Sequence, residues 1–175
     1  MIHLSKIKML LITLFASLIL SSCSISYSFT TKPTIDFSKV KSISIKDFPN
    51  TVSAGYAPLS QQFSEALRDK YIRQTKQLTI TREGGDLDLE GEITGYDYTS
   101  LAVREDAYAS QTRLTVTIRV RFTNNANSND DFDRSFSAYQ EFSNENTIDQ
   151  VQEKLCELII EEIVDQIFNE TVAKW

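Results

Sequence analysis

Arg113, Thr115, Thr117, Arg119 and Arg121 recur at every second position of the run RLTVTIRVR, which places all five on one face of a strand. A guanidinium presents a planar fork of N–H donors that grips carboxylate or phosphate oxygens in pairs. Such a row suits either a phosphate-bearing ligand or the acids of a neighbouring strand. Asp86, Asp88, Glu90 and Glu92 alternate in the same way on the strand before it. Paired carboxylates can cleave a glycosidic bond, but on the polar side of a strand a solvated face explains them more simply. Two readings of the arginines therefore stand. One is ion pairing with Asp88, Glu90 and Glu92, each pair contributing about 0.2–1 kcal/mol. The other is contact between Arg113, Arg119 and Arg121 and an anionic head group.

The second chemical feature is a cysteine. Lys6 and Lys8 precede a twelve-residue apolar run, Met9 to Leu20, interrupted only by Thr13 and Ser17. A helix needs about 20 apolar residues to cross a bilayer, so a short run behind lysines reads as a secretory signal. It ends in Leu20-Ser21-Ser22-Cys23. This resembles the lipobox of bacterial lipoproteins, in which the cysteine sulfur takes a diacylglycerol and the freed amine a further acyl chain. At about 0.8 kcal/mol per buried CH₂, several chains anchor a protein stably. Ser24-Ile25-Ser26 carries no aspartate after the cysteine and no acidic cluster follows. The expected address is the periplasmic side of the outer membrane, lipid-anchored through Cys23.

Removing residues 1–22 also removes His3, the only histidine, and leaves sixteen basic against twenty-four acidic residues, a net charge of −8. An acidic chain argues against nucleic acid as a partner. Without histidine the chain lacks the commonest base and metal ligand near neutral pH. With Cys156 as the one remaining thiol, neither an intramolecular disulfide nor a Cys/His zinc site can form. Cys156, among Leu155, Ile159 and Ile160, reads as a small buried hydrophobe. There is no G-x-S-x-G, P-loop or G-x-G-x-x-G. The expectation is a binding protein, not an enzyme, with no cofactor and no metal.

The elements that must position these residues follow from periodicity. Residues 23–38 are polar, contain Lys32-Pro33 and read as a tether; residues 39–175 form a single domain. Val40 to Phe48 places Ile43 and Ile45 on one face of a first strand. Pro58 opens a helix running to about Gln74, with Leu59, Phe63, Leu67 and Tyr71 inward. Gln77 to Arg82 is a short strand, and Gly84-Gly85 supplies a turn. Leu87, Leu89, Gly91 and Ile93 alternate; after Gly95 the apolar phase shifts to Tyr96 and Tyr98, which implies a bulge. Leu114 to Phe122 is the clearest strand, NNANSNDD from Asn124 is a turn segment, and Phe132 to Phe142 is the last strand. Three long strands joined this way imply an antiparallel meander. Thr147 and Gln150 form a capping box for a C-terminal helix with an apolar stripe from Ile148 to Val172. The acids Asp149, Glu153, Glu157, Glu161 and Asp165 line its other side as a solvated face. Tyr96, Tyr98, Tyr108, Phe48 and Tyr56 sit at strand ends or loops, either as interface aromatics or folded over the edge of the core. The order β-α-β-β-β-β-α gives an α+β two-layer sandwich: a mostly antiparallel sheet with two helices on one face.

Several stretches together resemble the LptE family of lipopolysaccharide-assembly lipoproteins, in a divergent branch. They are Cys23 followed by Tyr27-Ser28-Phe29-Thr30, then SISIKDFPN, PLSQQFSEALRDKYIRQT, GDLDLEGEITGYDY, RLTVTIRVRFTNN, DFDRSFSAYQEF and IIEEIVDQIFNETVAKW. The resemblance implies two helices against one sheet. It also implies a partner, the β-barrel LptD, which such a lipoprotein plugs and helps to assemble for insertion of lipopolysaccharide into the outer leaflet. Glycolipid contact in that family is through basic residues, for which Arg113, Arg119 and Arg121 are the cluster this chain offers. Apart from the resemblance, a pilot-type lipoprotein escorting a secretin fits the same elements; depletion separates the two, by loss of surface glycolipid or of a secretion pore.

Mass spectrometry of the native N-terminal peptide is expected to show Cys23 as the first residue, carrying acyl chains. A longer peptide with a free Cys23 thiol would remove the anchor.

Overall fold

The computed structural model of the chain describes residues 35–53, 55–101 and 110–173, all within one compact unit. The signal segment, Cys23, most of the expected tether and Tyr108 lie outside the described residues. The elements are β1 (Ser42–Ile45), α1 (Leu59–Gln74), β2 (Thr79–Thr81), β3 (Leu87–Ser100), β4 (Gln111–Asn124), a 3-10 turn (Ser128–Asp130), β5 (Phe132–Ser143) and α2 (Ile148–Thr171). This is the expected α+β order, and the long antiparallel pairings dominate one five-stranded sheet.

The strands lie in the order β2-β1-β3-β4-β5. β3, β4 and β5 form the expected meander. β1 runs parallel to both of its neighbours, β2 and β3. A parallel neighbour needs a crossover, and α1 provides it between β1 and β2. The Gly84-Gly85 turn therefore joins two strands that do not pair, because the chain must pass β1 to reach β3. At Gly85 a Cβ would come within 2.6 Å of the Ser44 amide nitrogen and 2.9 Å of the Ile43 carbonyl carbon, so glycine alone fits the crossing. Asp86 fastens it, accepting from the backbone N–H groups of Lys41 (2.8 Å) and Ser42 (3.0 Å) and from the Ser42 hydroxyl (3.0 Å). These donors hold its carboxyl below the usual carboxylate range.

β4 alternates without interruption. Leu114, Val116, Ile118, Val120 and Phe122 are all buried on the helix side. β3 contributes Leu87, Leu89, Ile93 and Tyr96 to the same layer. Between Ile93 and Gly95 the register with β4 shifts, so Thr94 is the extra residue of a bulge. This is how an odd-numbered Ile93 and an even-numbered Tyr96 reach one core.

Gly91 fills the remaining inward position of β3 with no side chain, and Phe48 packs beside it: a Cβ there would stand 2.1 Å from the Arg119 carbonyl oxygen of β4 and 2.5 Å from the Phe48 ring. Phe48 is itself fully buried and meets Phe63 of α1 edge-on, ring centroids 5.1 Å apart. The Ser64 hydroxyl accepts from the Phe48 N–H (3.0 Å) and donates to the Ser60 carbonyl (2.8 Å), tying loop to helix.

Both helices bury one stripe against the sheet. Gln150 Oε1 accepts from the Thr147 N–H at 2.9 Å, closing the start of α2 as its capping box implied. Leu155, Cys156, Ile159, Ile163 and Ile167 are buried behind it. The two helices are locked at one end. The Tyr71 phenol and Thr171 hydroxyl share a buried hydrogen bond, and the Tyr71 and Phe168 rings meet edge-on at 5.2 Å. Burial pushes the Tyr71 phenol far above its ordinary range, so it stays neutral. Ile35, within the segment expected to be tether, is 1% exposed and part of the core.

Gly91→Ala is expected to lower stability by about 1–3 kcal/mol through overpacking against the Arg119 carbonyl and the Phe48 ring. Urea unfolding checks it, and an unchanged midpoint would mean that neither the β4 backbone nor Phe48 needs the gap.

Candidate functional site

The face of the sheet away from the helices carries the charged residues singled out by spacing. Arg113, Thr115, Thr117, Arg119 and Arg121 all stand on this side of β4, opposite in sense to its buried residues. Register sets their neighbours: Arg121 lies across from Glu90 of β3 and Asp133 of β5, and Arg113 across from Glu141 of β5. The predicted cross-strand pairing is present, with Glu90 among its acids and Asp133 and Glu141 of β5 added. Arg119 takes Asp133 in a fork, Nε to Oδ1 at 2.8 Å and Nη2 to Oδ2 at 2.9 Å. Arg121 Nη1 donates to Glu90 Oε1 at 2.8 Å and its Nη2 lies 3.6 Å from Asp133. Lys46 Nζ donates to the other Glu90 oxygen at 2.5 Å. A continuous chain of alternating charge thus runs Lys46–Glu90–Arg121–Asp133–Arg119 across β3, β4 and β5.

Arg113 forms a second, separate contact. Its Nε and Nη2 both donate to Glu141 Oε1 (3.1 and 2.7 Å), and its guanidinium lies over the Tyr139 ring at 4.0 Å. Of the acids expected as partners, Glu90 serves directly. Asp88 instead accepts from the Ser44 hydroxyl (2.6 Å) and the Asn125 amide (2.9 Å). Glu92, opposite Arg119 in register, adds to its field through space. The partners missed by sequence reasoning are Lys46, Asp133 and Glu141. For Asp133 and Glu141 the signal was the alternation D-x-S-x-S-x-Y-x-E from Asp133, which shares a parity and therefore a face.

The electrostatics follow from these contacts. The Lys46 ammonium, then the Arg121 guanidinium, hold the Glu90 carboxyl below its usual range. Arg119 does the same for Asp133. Lys46 and Arg119 are raised in turn by their carboxylates. The arginines remain partly open, with side-chain exposures of 52% for Arg119 and 56% for Arg121. A shallow hollow of about 240 Å³ lies among Lys46, Glu90, Glu92, Arg119, Arg121 and Asp133. A guanidinium has five N–H donors. Arg119 spends two on Asp133 and Arg121 one on Glu90 within hydrogen-bonding distance, so both keep donors for an oxyanion.

Other constellations among the described residues gather no reactive chemistry. Cys156 is buried, with the Tyr96 hydroxyl 3.9 Å from its sulfur, and burial pushes its thiol up, away from the reactive thiolate. A larger groove of about 680 Å³ between α1 and α2 has Ala66, Ile160 and Val164 on its floor and carboxylates along its walls. Lys70 crosses it to Asp165 at 2.6 Å. Among the described residues no group of three or more His, Cys, Asp or Glu could hold a metal ion. Nor is any described helix long and apolar enough to cross a membrane. Of the aromatics, Phe48 and Tyr96 are buried, Tyr56 packs partly on the core, and Tyr98 is 47% exposed.

A family model described as LptE, Lipopolysaccharide-assembly, matches residues 40–171. No curated protein matches the chain. Among solved structures it is similar to a minor lipoprotein from Acinetobacter baumannii, at 14% identity over 75% of this chain and 92% of that one, TM-score 0.43. It is similar also to the rare lipoprotein B from Shewanella oneidensis, at 8% identity over 74% and 89%, TM-score 0.48. A neuraminyllactose-binding hemagglutinin homolog from Helicobacter pylori aligns at 12% identity over 77% and 84%, TM-score 0.52. That last likeness bears on the fold alone.

Glu90 and Asp133 have folded-state pKa values below their unfolded ones, so what they contribute is present above the unfolded values of 4.5 and 3.8 and is lost as pH falls through the folded ones. The melting midpoint of Glu90→Gln, Asp133→Asn should therefore fall less steeply than that of the wild type as pH drops below about 4.5. Parallel acid limbs would show that the charge chain adds nothing to stability.

Proposed function

Because the chain belongs to the LptE lipopolysaccharide-assembly family, we propose that it is the outer-membrane lipoprotein subunit of a lipopolysaccharide translocon. In this reading acyl chains on Cys23 hold it on the periplasmic side of the outer membrane. Its domain plugs an LptD-like β-barrel and assists the barrel's assembly, while the barrel inserts lipopolysaccharide into the outer leaflet. The observation that carries the reading is the extent of the family match, which begins at Val40 before β1 and ends at Thr171, the last residue of α2.

Physical features support it. The lipobox at Leu20-Ser21-Ser22-Cys23 supplies an anchor without a spanning helix. A domain whose sheet is dry on one face and polar on the other offers a wide surface to a partner without exposing its core. Its work is recognition, in keeping with a buried thiol and charges that neutralise one another. The free donors of Arg119 and Arg121, with Arg113 further along β4, are the proposed glycolipid contact. A lipid phosphate would join the existing carboxylates on these guanidinium groups without replacing them.

Affinity purification through this protein from its own membranes is expected to recover a large β-barrel, and depletion to reduce lipopolysaccharide at the cell surface. Recovery of soluble periplasmic proteins alone would sink the reading. For the glycolipid contact, Arg119→Glu, Arg121→Glu should bind purified lipopolysaccharide about tenfold more weakly than wild type, a difference of about 1.4 kcal/mol. Equal binding would remove the arginines from the site.

A further inference from the structure

β5 closes the sheet on one side, and its hydrogen bonds can be assigned residue by residue. The Asn144 N–H donates to the Ser110 carbonyl at 3.0 Å, in line with the β4–β5 register. Antiparallel pairs alternate between bonded and unbonded positions. The even-numbered residues from Phe132 to Phe142 therefore exchange backbone bonds with β4. The N–H and C=O groups of Asp133, Ser135, Ser137, Tyr139 and Glu141 point away from the sheet. Among the described residues, only the Ser137 carbonyl has a partner there, the Gln166 side-chain amide at 3.4 Å.

Long sheet edges are usually blunted by proline, lysine or a bulge. β5 contains neither residue, its register with β4 is unbroken, and its middle, Ser135 to Gln140, carries no charge. α2 flanks this edge, and between them lies a hollow of about 450 Å³ lined by Tyr139, Gln140, Glu141 and Glu162.

From these observations we propose that the outer edge of β5 is a strand-addition site, taking an extended segment of a partner polypeptide that brings a basic residue to the Glu141–Glu162 hollow. Backbone pairing would give affinity, and Glu162, on the exposed side of α2, would choose among strands, since Glu141 already accepts from Arg113. A second copy of this chain is a poor occupant. A symmetric antiparallel pairing about Ser137 sets Asp133 of each copy against Glu141 of the other, and pairing about Ala138 sets no acid against a base. The inference rests on the proposed function for the partner's identity, the β-barrel, and adds how that partner is held.

The test uses the full chain co-expressed with its β-barrel partner. Ser135→Pro removes an outward N–H that no strand of the sheet uses, so the β4–β5 ladder is kept; Ser135→Ala keeps that N–H as a control. Glu162→Lys reverses one wall of the hollow on an exposed helix face. Ser135→Pro and Glu162→Lys should each weaken the complex about tenfold or more, Ser135→Ala should leave it unchanged, and the Ser135, Ser137 and Tyr139 amides should gain protection from hydrogen exchange in the complex. An intact complex with Glu162→Lys and unprotected amides overturns the edge while leaving the barrel reading in place, even if Ser135→Pro fails to fold. Protection already complete in the isolated chain overturns it in favour of a segment of the protein's own. A wild-type chain that dimerises through this edge overturns it in favour of self-pairing. If wild type forms no complex with the barrel, the proposed function fails and this inference fails with it.

Discussion

Side chains on a strand alternate, so the β4 residues that feed the core and those that face outward cannot be chosen separately. Leu114, Val116, Ile118, Val120 and Phe122 lie beneath the helices because Arg113, Arg119 and Arg121 lie above solvent. A slip of one residue would drive guanidinium groups into the apolar layer, so register is fixed far more strongly by burial than by any ion pair. Everything else in the architecture completes this arrangement. α2 and α1 roof the dry side, with Tyr71 and Thr171 closing the seam between them. The acids of β3 and β5 balance the wet side.

That balance has modest energetic weight. Exposed ion pairs are worth between zero and about 1 kcal/mol, and Lys46, Arg119 and Arg121 are each about half exposed. The chain of charge orders the face more than it stabilises the fold. Arginines held in a set orientation by Glu90 and Asp133 present their remaining donors without first losing side-chain freedom, which favours recognition of an anion. The same carboxylates lower the local positive potential, so such a contact depends on donor geometry more than on net charge.

Local patterns in the sequence carried most of the fold. The period-two run of β4, the phase change at Gly95 and the Thr147–Gln150 pair each announced a feature that depends on near neighbours, and each is present. The parallel placement of β1 between β2 and β3 was not legible, because nothing in Ile43 or Ile45 records which strands lie beside them. Gly91 looked like one more inward position of β3; that Phe48 packs beside it depends on a loop folding back from β1. At the charged face the arginines were found by spacing, but two of their partners lie on the strand after them. Asp133 and Glu141 become neighbours only once the β4–β5 turn has set its register.

The position of β1 has a kinetic consequence. β4 and β5 begin pairing at Phe122 and Phe132, across a short turn, whereas Ile43 must meet Leu87 and Ile80, with α1 in between. Loop-closure entropy grows with the chain to be closed, so the hairpins close cheaply and β1 bears the largest ordering cost in the sheet. In a chain that emerges N-terminus first, the central strand of the parallel half is made early and has no partner until residues some forty positions later arrive. Its unpaired backbone is the segment of this fold that most needs shielding on the way to its destination.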